Sequence, residues 1–188
     1  MEFILATSNE HKAKEFNELL DGTNLSFKTA SEKLDVIEDG DTFNKNAFKK
    51  AKEYFNKYKK PIVADDSGLV VDALPDMLGV HSARFAPELK EYSDKNKKLI
   101  ELIDGKDRSA YFVCVLCFYI SDDEVFFFEG RVHGEISTEI KGDHGFGYDP
   151  IFLPTGQADM SLAQLPEWKN TNSHRAKALG QAAKFFQK

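Results

Sequence analysis

An α/β domain built on a mixed β-sheet is the fold class that this 188-residue sequence predicts. Three observations carry that expectation. Short apolar runs alternate with helical periodicity in the order βα, α, β, β, α, ββ, β, α. Residues 41–59 hold a stripe at helical spacing: Phe43, Ala47, Ala51, Tyr54, Phe55 and Tyr58. The two longest β-rich runs, Ala110–Ile120 and Glu124–Ile136, are separated by Ser121-Asp122-Asp123 alone, which predicts an antiparallel hairpin and excludes a purely parallel sheet.

Each element follows from local chemistry. Residues 2–6 are short and apolar, like a buried strand. Thr7, Ser8 and Asn9 then offer N-cap side chains to a helix whose inner face is Ala13, Phe16, Leu19 and Leu20, with Asp21-Gly22 as its stop. In the helix over 41–59, Lys50 lies about 20° from Phe43 around the axis, beside the apolar stripe. Lys45, Lys49 and Lys52 face solvent there, and Pro61 ends the segment. A strand is expected over 62–65 and a second over Leu69–Leu74. Residues 75–92 read as loop. Ser93 caps a short helix that buries Leu99, Leu102 and Ile103. After the hairpin, Gly142–Gly147 is a glycine-rich loop and Tyr148–Leu153 a strand. Ser173 starts a last helix with Ala176, Leu179, Ala183 and Phe186 inward.

Composition narrows the function. Apolar residues make up 41% and charged residues 30%, ordinary values for a globular protein. The net charge of −6 argues against broad attraction to nucleic acid. No apolar run approaches the ~20 residues of a membrane span, and the N-terminus has no signal-peptide pattern. Neither a nucleic-acid partner nor a membrane is expected. Two cysteines build no disulfide framework, so a reducing cytoplasm is the default. Cys114 and Cys117 sit three apart in a β-run and face opposite sides, which makes them core thiols and not a metal-binding pair.

Asp65-Asp66-Ser67-Gly68 is the most informative segment. Paired acids in an apolar stretch are costly to bury unless something neutralises them, and a divalent cation would. Asp, Ser and Gly are also turn residues. On the tetrapeptide alone, a metal site and a turn between two strands weigh equally. Thr7 to Lys12 link a strand to a helix N-terminus, where free N–H groups and the dipole favour an anion; a plain cap explains the same residues. His11 reads as solvent-exposed. Among the acids Glu38, Asp39 and Asp41, one could share a cation with Asp66. The turn Gly145–Pro150 carries Phe146 and Tyr148, whose faces suit a flat ring, or simply pack inward. His174 and Arg175 in the first turn of the last helix oppose its dipole, which makes sense beside an anionic or electron-rich ligand.

Taken together, these segments resemble the inosine/xanthosine triphosphate pyrophosphatase family. The resemblance spans essentially the whole chain, read as one domain over 1–188, and rests on Ala6-Thr7-Ser8-Asn9…Lys12…Glu15, Thr42-Phe43…Asn46-Ala47…Lys50-Ala51, Ala64-Asp65-Asp66-Ser67-Gly68-Leu69, Gly79–Phe85, Gly145–Phe152 and Ser173-His174-Arg175. It implies an elongated two-lobed fold with a central cleft, paired into a homodimer, that hydrolyses ITP, dITP and XTP to the monophosphate and pyrophosphate. Carried over by position, Thr7, Ser8, Asn9, Glu10, His11 and Lys12 cradle the phosphates together with Lys50. Asp66 binds Mg²⁺ and accepts a proton, Glu38 is a second metal ligand, and Ser67 contacts substrate. Phe146, Gly147, Tyr148, Asp149, Lys169, His174 and Arg175 surround the nucleoside. His81 and Asn172 depart from the family pattern, and the segment 87–93 looks short. Two other readings stay open: a Maf-like pyrophosphatase with a different base preference, and a nucleotide-binding module without catalysis.

Overall fold

The computed structural model describes residues 1–7 and 9–187. Six strands, Glu2–Ala6 (β1), Ser26–Thr29 (β2), Ile62–Val71 (β3), Ser109–Ser121 (β4), Glu124–Ile136 (β5) and Phe152–Pro154 (β6), form one sheet in the order β2-β1-β3-β4-β5-β6. The helices are Glu10–Leu19 (α1), Phe43–Tyr58 (α2), Tyr92–Leu102 (α3), Pro166–Asn172 (α4) and His174–Phe185 (α5). The sheet is mixed, as expected: β1 pairs in parallel with β2 and β3, whereas β5 and β6 are antiparallel. Among the described residues, no helix is long and apolar enough to cross a membrane.

The chain divides into two compact units. The first comprises 1–67, 114–130 and 174–188; the second comprises 68–113 and 131–173. Each has its own core. In the first unit Phe3, Leu5, Phe16, Val63, Leu116 and Phe118 bury against Ala178, Leu179 and Ala182 of α5. Phe3 meets Phe118 edge to face, with centroids 4.9 Å apart, so part of the chain's phenylalanine content is core material. Cys114 and Cys117 are both buried free thiols, and burial pushes Cys117 up to about 12, so neither is a nucleophile at neutral pH. In the second unit Leu69, Val71, Leu99, Ile103, Phe112, Val132 and Phe152 close the core.

Several expectations are corrected. Strand β2 was not expected, because Ser26-Phe27-Lys28-Thr29 is mostly exposed; its backbone pairing with β1, and not an apolar pattern, makes it a strand. The two strands expected around Asp65–Gly68 are one continuous ten-residue strand, β3. Tyr148–Leu153 is not one strand: Asp149–Ile151 forms a 3-10 turn, with Pro150 inside it, and β6 starts at Phe152. Residues 75–92 include a 3-10 segment, Gly79–Arg84. Helix α3 starts at Tyr92, with Glu91 and not Ser93 at the cap position. Helix α4, started by Pro166, was also unexpected; Asn172 ends it, its amide donating to the Trp168 carbonyl at 3.0 Å. Ala178 and Ala182, and not Ala176, lie on the buried face of α5.

Gly130 shows how tightly β5 meets α5. A Cβ there would stand 2.1 Å from the His174 carbonyl oxygen and 2.6 Å from the Ala178 nitrogen. Both are backbone atoms and cannot rotate away. Gly130→Ala is therefore expected to cost about 2 kcal/mol or more, read as a lower melting temperature; an unchanged one would mean that the helix shifts freely.

Candidate active site

The candidate site in the first unit is built by four segments. The turn from β1 into α1 comes first. Asn9 caps the helix, its Oδ1 accepting from the Lys12 N–H at 3.1 Å, and its own N–H donates to Thr7 Oγ1 at 3.2 Å. That cap starts the helix at Glu10 and brings Lys12 around to Asp65, with Nζ 2.7 Å from Oδ2. Glu10 and His11 are exposed in the first turn. Ser8 lies outside the described residues.

The second segment is α2. Thr42 caps its start, and Lys59 ends it in the left-handed conformation, with φ of 50°. Lys50 and Asn46, four residues apart, share one face. Lys50 Nζ donates to the Asp65 carbonyl at 2.9 Å and pairs with the Glu38 carboxylate. Asn46 is almost fully buried and bridges two segments: its Nδ2 donates to Asp66 Oδ2 at 3.0 Å, and its Oδ1 accepts from the Gly40 N–H at 2.7 Å. A Cβ on Gly40 would come within 2.6 Å of that oxygen, so glycine lets the acidic 38–41 segment fold over the amide. Charge and motif chemistry do not point to Asn46 as a site residue. Its signal was a polar residue one turn before Lys50 on an otherwise apolar face.

The third segment is β3. Its alternation puts Asp65 and Asp66 on opposite faces, and their environments separate them. Asp65 is fully buried. Burial by itself would raise its carboxyl, but Lys12, Lys50 and Arg175 together outweigh burial and hold it well below the usual carboxylate range. Asp66 goes the other way. Burial dominates, and the Glu38 charge adds to it. The Asn46 hydrogen bond and Lys50 only partly oppose them, so its carboxyl rises from 3.8 to about 6. Lys50 is buried too, which pulls its ammonium down, but Asp65 and Glu38 outweigh this and leave it raised. Two neighbouring carboxyls pushed apart in this way suit different tasks.

The fourth segment is the start of α5. Arg175, 4% exposed, donates from Nη1 to Glu15 Oε2 at 2.9 Å and from Nη2 to Ser67 Oγ at 3.0 Å. Glu15 thus offsets a cation that the helix dipole disfavours. His174 is buried beside it.

A second cluster lies within the other unit. Asp149 Oδ2 accepts from Lys169 Nζ at 2.8 Å and from the Phe146 N–H at 2.9 Å. The Lys169 ammonium sits 4.8 Å from the Phe146 ring centroid. Gly145 has φ of +79°, and a Cβ on it would come within 2.2 Å of Asp149 Oδ2, so only glycine lets the loop wrap the carboxylate. Asn96 Nδ2 donates to the Gly147 carbonyl at 3.1 Å. The Tyr148 ring is buried, with its hydroxyl donating to the Ser82 carbonyl at 2.6 Å, so this side chain braces the loop. Asn96 and Ser82 were not expected here. His81, in the 3-10 segment, is exposed.

Among the described residues, no group of three or more His, Cys, Asp or Glu side chains is placed to hold a metal ion. The Glu38 charge acts on Asp66, so two carboxylates stand near each other here, and a hard divalent cation takes one or two carboxylates and completes its shell with water and phosphate oxygens.

Comparison with known proteins shows which family the chain matches. Residues 3–185 match the model of the Ham1 family. A dITP/XTP pyrophosphatase from Aquifex aeolicus is 41% identical over 190 residues, covering 95% of this chain and 93% of that protein. One from Bacillus subtilis is 38% identical, covering 99% and 97%. Among solved structures, a HAM1 protein from Coxiella burnetii superposes with a TM-score of 0.88 at 36% identity, covering 100% of this chain and 98% of that one. The Staphylococcus aureus Ham1 protein gives 0.86, again at 36% identity and with 100% and 98% covered.

Proposed function

The chain belongs to the Ham1 family, and from that premise we propose that it hydrolyses the deaminated purine nucleoside triphosphates dITP, XTP and ITP to the monophosphate and pyrophosphate. The observation that carries the reading is the convergence of Lys12 and Lys50 on Asp65 of β3, next to an Asp66 held by Asn46. A site that only neutralised phosphate would not need a buried acid whose carboxyl sits near neutrality.

Asp66 is the proton acceptor for the attacking water. Its position at about 6 leaves it ionised at pH 7 yet basic enough to take a proton. Asn46, donating to one carboxylate oxygen, fixes its orientation. Lys12 and Lys50, with the N–H groups at the start of α1, hold the phosphate oxygens. Glu38 and Asp66 hold Mg²⁺, which when bound neutralises phosphate charge and aids departure of pyrophosphate. In the second unit the nucleoside candidates are Phe146, Gly147, Asp149 and Lys169, whose loop Tyr148 braces; in the first unit they are His174 and Arg175. A donor suits the 6-carbonyl of hypoxanthine and xanthine and leaves the amino group of adenine poorly paired. The same proposal includes a homodimer and a cytoplasmic location, which the two reduced thiols support.

A substrate panel with Mg²⁺ tests the reading. Pyrophosphate release from ITP and XTP, well above that from ATP, UTP and dTTP, is expected. Preference for a pyrimidine triphosphate would favour a Maf-like enzyme, and no release from any purine triphosphate would sink the proposal. Arg175→Ala should raise KM for ITP by about tenfold and narrow the ITP/ATP ratio of kcat/KM. An unchanged ratio would place base selection elsewhere.

A further inference from the structure

Asp65 has no assigned step in the chemistry set out above, yet cations from three elements bear on it. Its side chain is 1% exposed. One oxygen, Oδ2, takes both the Lys12 ammonium at 2.7 Å and the Ser67 hydroxyl at 3.2 Å. The same Ser67 oxygen accepts from Arg175 Nη2 at 3.0 Å, and Arg175 Nη1 is tied to Glu15 at 2.9 Å. The residue's own carbonyl takes Lys50 at 2.9 Å. Three cations from three separate elements are thus indexed to one residue of one strand.

We propose that Asp65 is a positioning residue, which fixes the Lys12 ammonium directly and the Arg175 guanidinium through Ser67 before substrate arrives. The inference rests on the reading of Lys12 and Arg175 as substrate-facing groups. Long cationic side chains lose much rotamer freedom when they bind phosphate. A buried carboxylate that holds them beforehand moves this ordering out of the reaction step. The arrangement has a cost, because a negative charge beside a polyphosphate site weakens ground-state attraction. Removing that charge should therefore spare binding and penalise turnover.

Asp65→Asn is the test, with two readouts. With ¹⁵N-labelled lysine and Lys12→Arg to assign the signal, the half-buried, paired Lys12 ammonium is expected to exchange slowly enough to be observed in the wild type. In Asp65→Asn it is expected to vanish into exchange with water; its persistence would overturn the proposal. In kinetics on ITP, kcat is expected to fall about 100-fold with KM within about threefold. In a Lys12→Ala background the same substitution should cost clearly less than the roughly 100-fold expected alone, the remainder being its hold on Arg175 through Ser67. Fully additive losses, or a loss confined to KM, would also overturn it. Should Asp65→Asn fail to fold, Asp65→Glu keeps the charge but displaces it; about a tenfold lower kcat is then expected, and wild-type kcat would count against the idea. A wild type inactive on every purine triphosphate would sink the functional reading alone, since the ammonium signal judges the pinning independently of activity.

Discussion

Asp66→Asn is expected to lower ITP turnover by about 10³-fold or more while the protein stays folded, since one substitution removes both the proposed proton acceptor and a proposed metal ligand. The stability side has a definite sign. The folded carboxyl stands at about 6 against an ordinary 3.8. The folded state therefore holds this proton more tightly than the unfolded chain. Asp66 contributes stability fully below about pH 4, and that contribution is lost as pH rises through about 6. The displacement corresponds to on the order of 3 kcal/mol. The asparagine has no such titration. In metal-free buffer its stability relative to wild type should rise by roughly that amount between pH 4 and pH 7. An offset is also expected, because the new amide must face either the Asn46 Nδ2 or the Ser67 N–H, both donors. Mg²⁺ should raise the melting temperature of the wild type at pH 7 and not that of the variant. A relative stability flat across this range would mean that Asp66 is solvated and not poised by burial. Undiminished turnover would remove it as the base.

The fold was legible where side-chain pattern and backbone agree. The apolar stripe of α2 and the β4–β5 hairpin needed nothing beyond periodicity and turn residues. Strand β2 was not legible, because an edge strand is made by hydrogen bonds to β1 that leave no mark on Ser26 or Lys28. The join at Asp65–Gly68 was misread for a related reason. Turn residues predict a break, but here each acid is paired sideways, with Lys12 or with Asn46, and the strand continues through them. At the site, charged residues announced themselves and neutral ones did not. Lys50 and Asp66 were visible as charge in apolar surroundings, and Lys12 as a cation at a strand-to-helix turn. Asn46 and Gly40 act by a carboxamide geometry and by the absence of a Cβ. Arg175 was legible as a cation opposing its helix dipole, but its partner Glu15 lies 160 positions away in sequence.

In the second unit, Lys169→Met is expected to destabilise the protein by about 3 kcal/mol and to abolish nucleoside recognition. The Lys169 and Asp149 side chains are only 9% and 4% exposed, with 2.8 Å between Nζ and Oδ2. Methionine fills the volume of the aliphatic stem but withdraws the charge, leaving a buried carboxylate without its ammonium. The Phe146 N–H still donates to it, yet neutral donors compensate a buried anion less well than an ammonium does. The ammonium also lies over the Phe146 ring, so its loss frees the aromatic proposed to face the base. Thermal unfolding of a double variant separates charge from packing. Adding Asp149→Asn to Lys169→Met removes the stranded anion and should restore at least half of the lost stability, because replacing both members of a buried pair costs less than breaking it. It should not restore activity on ITP. If the double variant is as unstable as the single one, packing around the lysine stem, and not the ion pair, holds the loop from Gly145 to Asp149 in place.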